Sequence, residues 1–174
     1  FDFLNPGLIS DRLKIVADRI KITEKREEVV DFSDPYYSAN QSVLVHEESN
    51  NDLTVLFGDN SVGVQTGTTG DTWVRERLID RDILTGEIRN YDSYVFVIRD
   101  LSNQNIDAAV LDKPVAETYS KDNPVKVVAE LITGEEYGIA VAPGNEELLT
   151  KINEGIQELK ANGTMDELIE KYFE

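Results

Sequence analysis

The sequence predicts an α/β fold, and three stretches carry that prediction. Ser61 to Gln65 reads as a short strand. It is followed by the small-residue loop Thr66-Gly67-Thr68-Thr69-Gly70-Asp71 and then by Trp73, Val74, Leu78 and Ile79 at helical spacing. Ile106 to Leu111 reads as a buried strand that ends in Asp112 and Lys113-Pro114, with Val115 to Tyr119 helical after it. Gly138 to Val141 reads as a strand, Pro143-Gly144 as a turn, and Asn145 as the cap of a long amphipathic helix carrying Leu148, Leu149, Ile152, Ile156 and Leu159 on one face. Strand, loop and helix alternate, as parallel sheet architecture requires.

The remaining elements follow in chain order. Leu4 to Leu13 is weakly helical, interrupted by Pro6 and Gly7, and Leu13 to Ala17 reads as a buried strand. Thr23 ahead of a Glu-rich turn is placed to cap a short helix. Asp34-Pro35, with Tyr36 and Tyr37 behind it, signals a loop. Ser42 to Val45, Leu53 to Phe57 and Val125 to Ala129 carry strand signals. Tyr94 to Ile98 also reads as a strand by composition. Gly163 stops the long helix, and Thr164-Met165-Asp166-Glu167 has the form of a capping box opening a last helix that would bury Leu168, Ile169, Tyr172 and Phe173.

Composition narrows the function. The 174 residues include 17 basic and 34 acidic side chains, a formal charge of −17, which argues against nucleic acid and against unaided binding to anionic lipid. With 40 % hydrophobic and 29 % charged residues the chain has the composition of a globular protein. Apolar runs are too short to span a bilayer. There is no cysteine and a single histidine, His46, which excludes thiol chemistry and multi-histidine metal sites. His46-Glu47-Glu48 cannot converge on one ion, so no metal and no cofactor is expected. Asn40-Gln41-Ser42 and Asn162-Gly163-Thr164 match the glycosylation pattern, which is common by chance.

Three candidate sites remain, all of the binding kind. Arg26 presents a fork suited to a carboxylate; its plain alternative is an ordinary surface or salt-bridging Arg. Gly67-Thr68-Thr69-Gly70 offers amides and hydroxyls at a helix start, though no Gly-Lys follows to make it a phosphate loop. Asp112 ends a buried strand, where a carboxylate can receive an ammonium group or simply cap the next helix. A cation and helix-start amides for a carboxylate, with an anion for an amine, is the recognition logic of an α-amino acid.

The segments Ile22-Thr23-Glu24-Lys25-Arg26, Val30 to Tyr37, Val62 to Thr69, Ile106 to Asp112 and Tyr137 to Val141 resemble, in order, the polar amino-acid-binding proteins of ABC transporters, solute-binding family 3. So do Ala161-Asn162-Gly163-Thr164 and the terminal Glu170-Lys171-Tyr172-Phe173. The resemblance covers essentially the whole chain. It implies a two-lobed periplasmic binding protein type II fold, with lobe 1 at 1–40 and 138–174, lobe 2 at 41–137, and a helix rather than a strand at Tyr94 to Ile98. It also implies that Arg26, assisted by Thr69 and the Gly70 amide, takes a ligand α-carboxylate and that Asp112 takes the α-amino group. Phe1 would cover the ligand's side chain, and positions 18 and 21 would face the cleft.

Two departures from the family accompany the resemblance. The family begins earlier, with a strand, a helix and a second strand of lobe 1, so lobe 1 is expected to be incomplete. Either the real polypeptide is longer, or another chain supplies the missing part, by domain exchange between copies for example, or the fragment binds its ligand poorly. The pocket segment also carries Asp18-Arg19-Ile20-Lys21 where the family has small residues. Lys21 and Arg19 there would attract a second acid group, favouring an acidic ligand, or else turn outward or pair with Asp18. The function expected is capture of a polar amino acid outside the cytoplasmic membrane, by a free or lipid-anchored protein, for delivery to an ABC transporter permease and without covalent chemistry. The alternatives are the sensing domain of a receptor and, remotely, a cyclohexadienyl dehydratase-like enzyme.

Overall fold

The computed structural model describes residues 7, 8, 10 and 12–173. The chain divides into two compact units: unit 1, residues 1–39 and 134–174, and unit 2, residues 40–133.

Unit 2 is built on a five-stranded sheet. Its strands are β3 (Tyr37–His46), β4 (Val62–Gln65), β5 (Ile88–Tyr91), β6 (Ala108–Asp112) and β7 (Val125–Tyr137), in the order β5-β4-β6-β3-β7. β4 runs parallel to both β5 and β6, while β3 is antiparallel to β6 with Val43 opposite Val110. Alternate residues of each strand serve different sides. Val43, Val45, Val62, Val64, Ala108 and Val110 join Val74, Leu78 and Leu84 in one buried cluster. Leu44, Ala109 and Leu111 join Val97, Ile98, Leu101 and Ala116 in another. The sheet, with parallel and antiparallel pairs, is therefore covered on both faces.

Two α-helices of unit 2 begin at a side-chain cap. α2 (Thr69–Val74) starts at Thr68, whose side chain accepts the Asp71 amide, and runs on into a π-helical turn at Arg75–Ile79. α3 (Tyr94–Ser102) starts at Ser93, whose Oγ accepts the Val95 amide. That cap, with Val97, Ile98 and Leu101 buried along one face, decides the segment for helix over its strand-like composition. α4 (Lys113–Asp122) follows β6 directly, with Pro114 in its first turn.

Leu53 to Phe57 is not a strand. Leu53–Leu56 forms a 3₁₀ turn because Asp52 Oδ1 accepts both the amide (2.8 Å) and the hydroxyl (2.6 Å) of Thr54. Val55 and Leu56 are buried by it, and Leu53 and Phe57 are left exposed.

Unit 1 holds a three-stranded antiparallel sheet, order β1-β8-β2, from β1 (Ile15–Val16), β2 (Asp31–Phe32) and β8 (Ala140–Val141). The expected buried strand at 13–17 shrinks to two residues, of which only Val16 is buried; Leu13 and Ile15 are exposed. α1 (Glu24–Glu27) is capped by Thr23 as expected. α5 (Glu146–Ala161) is capped by Asn145 Oδ1, and Gly163, at φ 81°, ends it in the left-handed region that glycine tolerates.

α6 (Thr164–Phe173) departs from expectation at both its cap and its face. Asn162 Oδ1, not Thr164, accepts the first amide, that of Thr164 (2.9 Å). Its inward stripe is centred on Met165, Ile169 and Phe173, one helical step apart. Leu168 and Tyr172 fall on its flank and are exposed, Tyr172 by 59 %. A small core of Leu8, Val16, Ile20, Val30 and Ala140 holds unit 1 together. β3 and β7 are the two strands through which the chain passes between the units.

Candidate functional site

In unit 2 the expected residues are joined by one that sequence reasoning missed. Gln41, on β3 and fully buried, donates from Nε2 to Thr69 Oγ1 (3.1 Å) and to Asp112 Oδ1 (2.7 Å). One amide group therefore binds the start of α2 to the carboxylate at the end of β6. Asp112 is only 7 % exposed and its side chain makes no cap bond to α4, so the simple N-cap role is not the one it fills. Gly70 is buried against the same glutamine, and a Cβ there would meet Gln41 Oε1 at 3.0 Å and the Val110 carbonyl oxygen at 3.3 Å. Thr68 is committed to structure: Oγ1 donates to the Gln65 carbonyl (2.8 Å) and accepts the Asp71 amide (3.2 Å).

Chemically, this is an anion beside a helix start. The amides of Thr69 and Gly70 belong to the first turn, where helix geometry provides no intrahelical acceptor. The Gln41 bond to Asp112 comes from a neutral amide donor. Gln41 had a visible signal, a lone amide side chain heading the apolar run Ser42-Val43-Leu44-Val45. The tripeptide pattern around it drew attention to Asn40 instead. Asn40 in fact donates to Glu130 Oε1 (2.7 Å) and accepts the Thr133 amide (3.1 Å).

In unit 1, Lys21 overturns both expectations placed on it. It neither turns outward nor pairs with Asp18; it is 2 % exposed, with Nζ 2.7 Å from Glu135 Oε2 and 3.4 Å from the Ala39 carbonyl oxygen. The Tyr137 ring lies beneath the ammonium, 5.6 Å to its centroid. The ion pair forms because a buried ammonium must find a counter-charge. It gives the Lys21 ammonium a counter-charge within the protein. Arg26 is half-buried and donates from one guanidinium nitrogen to the Lys21 carbonyl (2.8 Å).

Arg19 stacks over Phe173 at 5.4 Å instead of pairing outward, and Asp18, exposed, accepts the Arg19 amide on Oδ1 (2.8 Å). Phe1 lies outside the described residues. Tyr36, Tyr37, Tyr137 and Phe173 form an aromatic cluster that the loop signal at Asp34-Pro35 did not reveal, with Tyr37 and Phe173 4.4 Å apart. Burial, then the neighbouring Asp18 carboxylate, pushes the Tyr36 phenol from 10.0 up to about 12, with Arg19 opposing. His46 Nδ1 accepts the Glu48 amide, and no group of three metal-ligating side chains occurs among the described residues.

A helix start and a buried carboxylate are thus linked by one amide on this sheet. The chain belongs to the bacterial extracellular solute-binding proteins, family 3, whose family model matches residues 1–174. It is 35 % identical over 181 residues to a probable histidine-binding protein of Neisseria gonorrhoeae, covering 99 % of this chain and 65 % of that protein. Against a putative ABC transporter arginine-binding protein 2 of Escherichia coli (strain K12) it is 33 % identical over 180 residues, covering 100 % and 72 %. The chain thus spans about two thirds of the length of these relatives.

Among solved structures, an ancestral arginine-binding protein bound to arginine superposes with a TM-score of 0.89 at 38 % identity, covering 100 % of this chain and 77 % of that one. The ancestral amino-acid-binding protein AncCDT-1, a precursor of cyclohexadienyl dehydratase, gives 0.87 at 33 % identity, with coverage of 99 % and 74 %. The two-lobed α/β class expected from the sequence is the class of these neighbours. No described helix is long and apolar enough to cross a membrane.

Proposed function

We propose that this chain binds a polar amino acid outside the cytoplasmic membrane and delivers it to an ABC transporter permease. The observation that carries the reading is the Gln41 bridge, which holds an ammonium-accepting carboxylate, Asp112, beside the carboxylate-accepting helix start at Thr69 and Gly70. Relatives named as histidine-, arginine- and cystine-binding proteins support it. In this reading the two units serve as the family's two lobes and β3 and β7 as the hinge. Arg26 keeps the role the resemblance gave it, a carboxylate-binding group.

Lys21 is already neutralised by Glu135, so cationic and uncharged ligands are expected to bind more tightly than acidic ones. Isothermal titration calorimetry with arginine, histidine, glutamine, cystine, glutamate and aspartate tests the proposal. Micromolar binding, about 8 kcal/mol, is expected for at least one of the first four. Asp112→Ala should weaken that ligand by about 100-fold or more, the cost of leaving an ammonium group without its counter-charge. Arg26→Ala reads the carboxylate arm separately. Absence of heat with all six would overturn the reading, and tighter binding of glutamate or aspartate would overturn the preference. Incubation with prephenate or arogenate is expected to leave both unchanged.

A further inference from the structure

The surroundings of the Lys21 ammonium amount to more than an isolated ion pair. Three recognisers of different chemistry converge on Nζ from two strands: the Glu135 carboxylate at 2.7 Å, the Ala39 carbonyl at 3.4 Å, and the Tyr137 ring at 5.6 Å to its centroid. Carboxylate, carbonyl and aromatic face are the three groups that recognise a primary ammonium, through charge, through its remaining protons, and through the ring quadrupole. Backbone bonds that do not involve the lysine side chain hold the end of β7, which carries Glu135 and Tyr137, against the Lys21 segment. Lys21 and Tyr137 form a β-bridge, the Ile22 amide donates to the Glu136 carbonyl (2.9 Å), and the Gly138 amide donates to the Ile20 carbonyl (3.1 Å). The Glu135 side chain is 17 % exposed and that of Lys21 only 3 %.

We propose that unit 1 contains a binding site for a primary alkylammonium group, and that the chain's own Lys21 occupies it. The lysine is in this sense an internal ligand on a short tether. While it is seated, Glu135 is engaged within the protein. When the side chain beyond Cβ is removed, the site is vacated and accepts the missing atoms, three methylenes and an ammonium group, as free propylammonium. A cavity of defined shape readily takes up the fragment it lacks, and a ligand of four heavy atoms is bound in the millimolar range. The proposal does not depend on which amino acid, if any, the protein carries.

The test is chemical rescue of Lys21→Ala, read by thermal unfolding in propylammonium chloride against sodium chloride of equal ionic strength, with 1-propanol as the uncharged control. The expected result is a saturable Tm rise of about 3–6 °C for the variant at tenfold excess over Kd. No such rise is expected for the wild type, with propanol, or for Lys21→Ala/Glu135→Gln. Equal responses of wild type and Lys21→Ala, or a rise that survives Glu135→Gln, would overturn the proposal. If Lys21→Ala folds only with propylammonium, that also supports it. If it folds under neither condition, Lys21→Met carries the test. That variant should be less stable than wild type and regain part of the loss when Glu135→Gln removes the stranded carboxylate; no regain would overturn the proposal.

Discussion

Gln41 shows how much can rest on one uncharged side chain. Its amide is fully buried and serves the Asp112 carboxylate and the Thr69 hydroxyl together. Gln41→Leu keeps most of the volume and removes the donor, leaving a buried carboxylate short of a hydrogen bond. The expected loss is about 1.5–3 kcal/mol in urea unfolding. At the same scale, Tyr36 predicts behaviour at high pH. Its folded pKa, about 12, lies above its ordinary value of 10.0, so the unfolded chain releases the proton first. The stabilisation is complete below pH 10.0 and disappears as pH rises toward about 12. Tyr36→Phe should flatten that part of the stability–pH curve, and phenolate absorbance at 295 nm reads the titration directly.

Among the secondary-structure elements, two glycines separate space from conformation. A Cβ on Gly86 would stand 2.1 Å from the Asn60 carbonyl oxygen, a backbone atom that cannot swing away, so Gly86→Ala should destabilise unit 2 severely. Gly155, inside α5, has nothing within 4 Å of its would-be Cβ. Gly155→Ala should therefore stabilise by about 0.5–1 kcal/mol, since alanine loses less freedom in a helix. Thermal melts of the pair check both signs. Beside β3 and β7, hydrogen bonds from Asn40 and then Lys113 hold the Glu130 carboxylate below its usual range. Because the folded value is the depressed one, this contribution is present at neutral pH and is lost as pH falls through it. Asn40→Ala should shift the acid limb of unfolding upward in pH.

The caps at Thr23 and Asn145 were legible in the sequence because a cap is written in adjacent residues. Leu53–Leu56 was not, because its apolar run is the same whether extended or turned; Asp52 decides it. Tyr94–Ser102 needed the family resemblance to outweigh its strand-forming residues. The α6 stripe failed differently: Leu168 and Tyr172 have the right spacing, but periodicity does not say where on a face burial stops.

For the molecule as a whole, the α/β class and the candidate residues Thr69, Gly70 and Asp112 could be read from local pattern. Gln41, Glu135 and Tyr137 could not. Each acts on a residue 28 or more positions away, as with Gln41 and Thr69, or 114 away, as with Glu135 and Lys21. No local pattern encodes such separations. Among the described residues, unit 2 has two extensive buried apolar clusters and unit 1 a single small one. Amide hydrogen exchange should therefore be slowest in β4 and β6 and faster by orders of magnitude in β1, β2 and β8. Equal protection in both sheets would contradict this.

Unit 2 is one continuous stretch, but unit 1 is assembled from both sides of it. In the small sheet, β8 is the central strand to which β1 and β2 each pair. A ribosome therefore releases β1 and β2 first, then all of unit 2, and only afterwards the strand they need. During that interval β1 and β2 lack β8 while unit 2 can already close its sheet. A nascent chain arrested before Ala140 would carry the strands of unit 2 and a small sheet without its central strand.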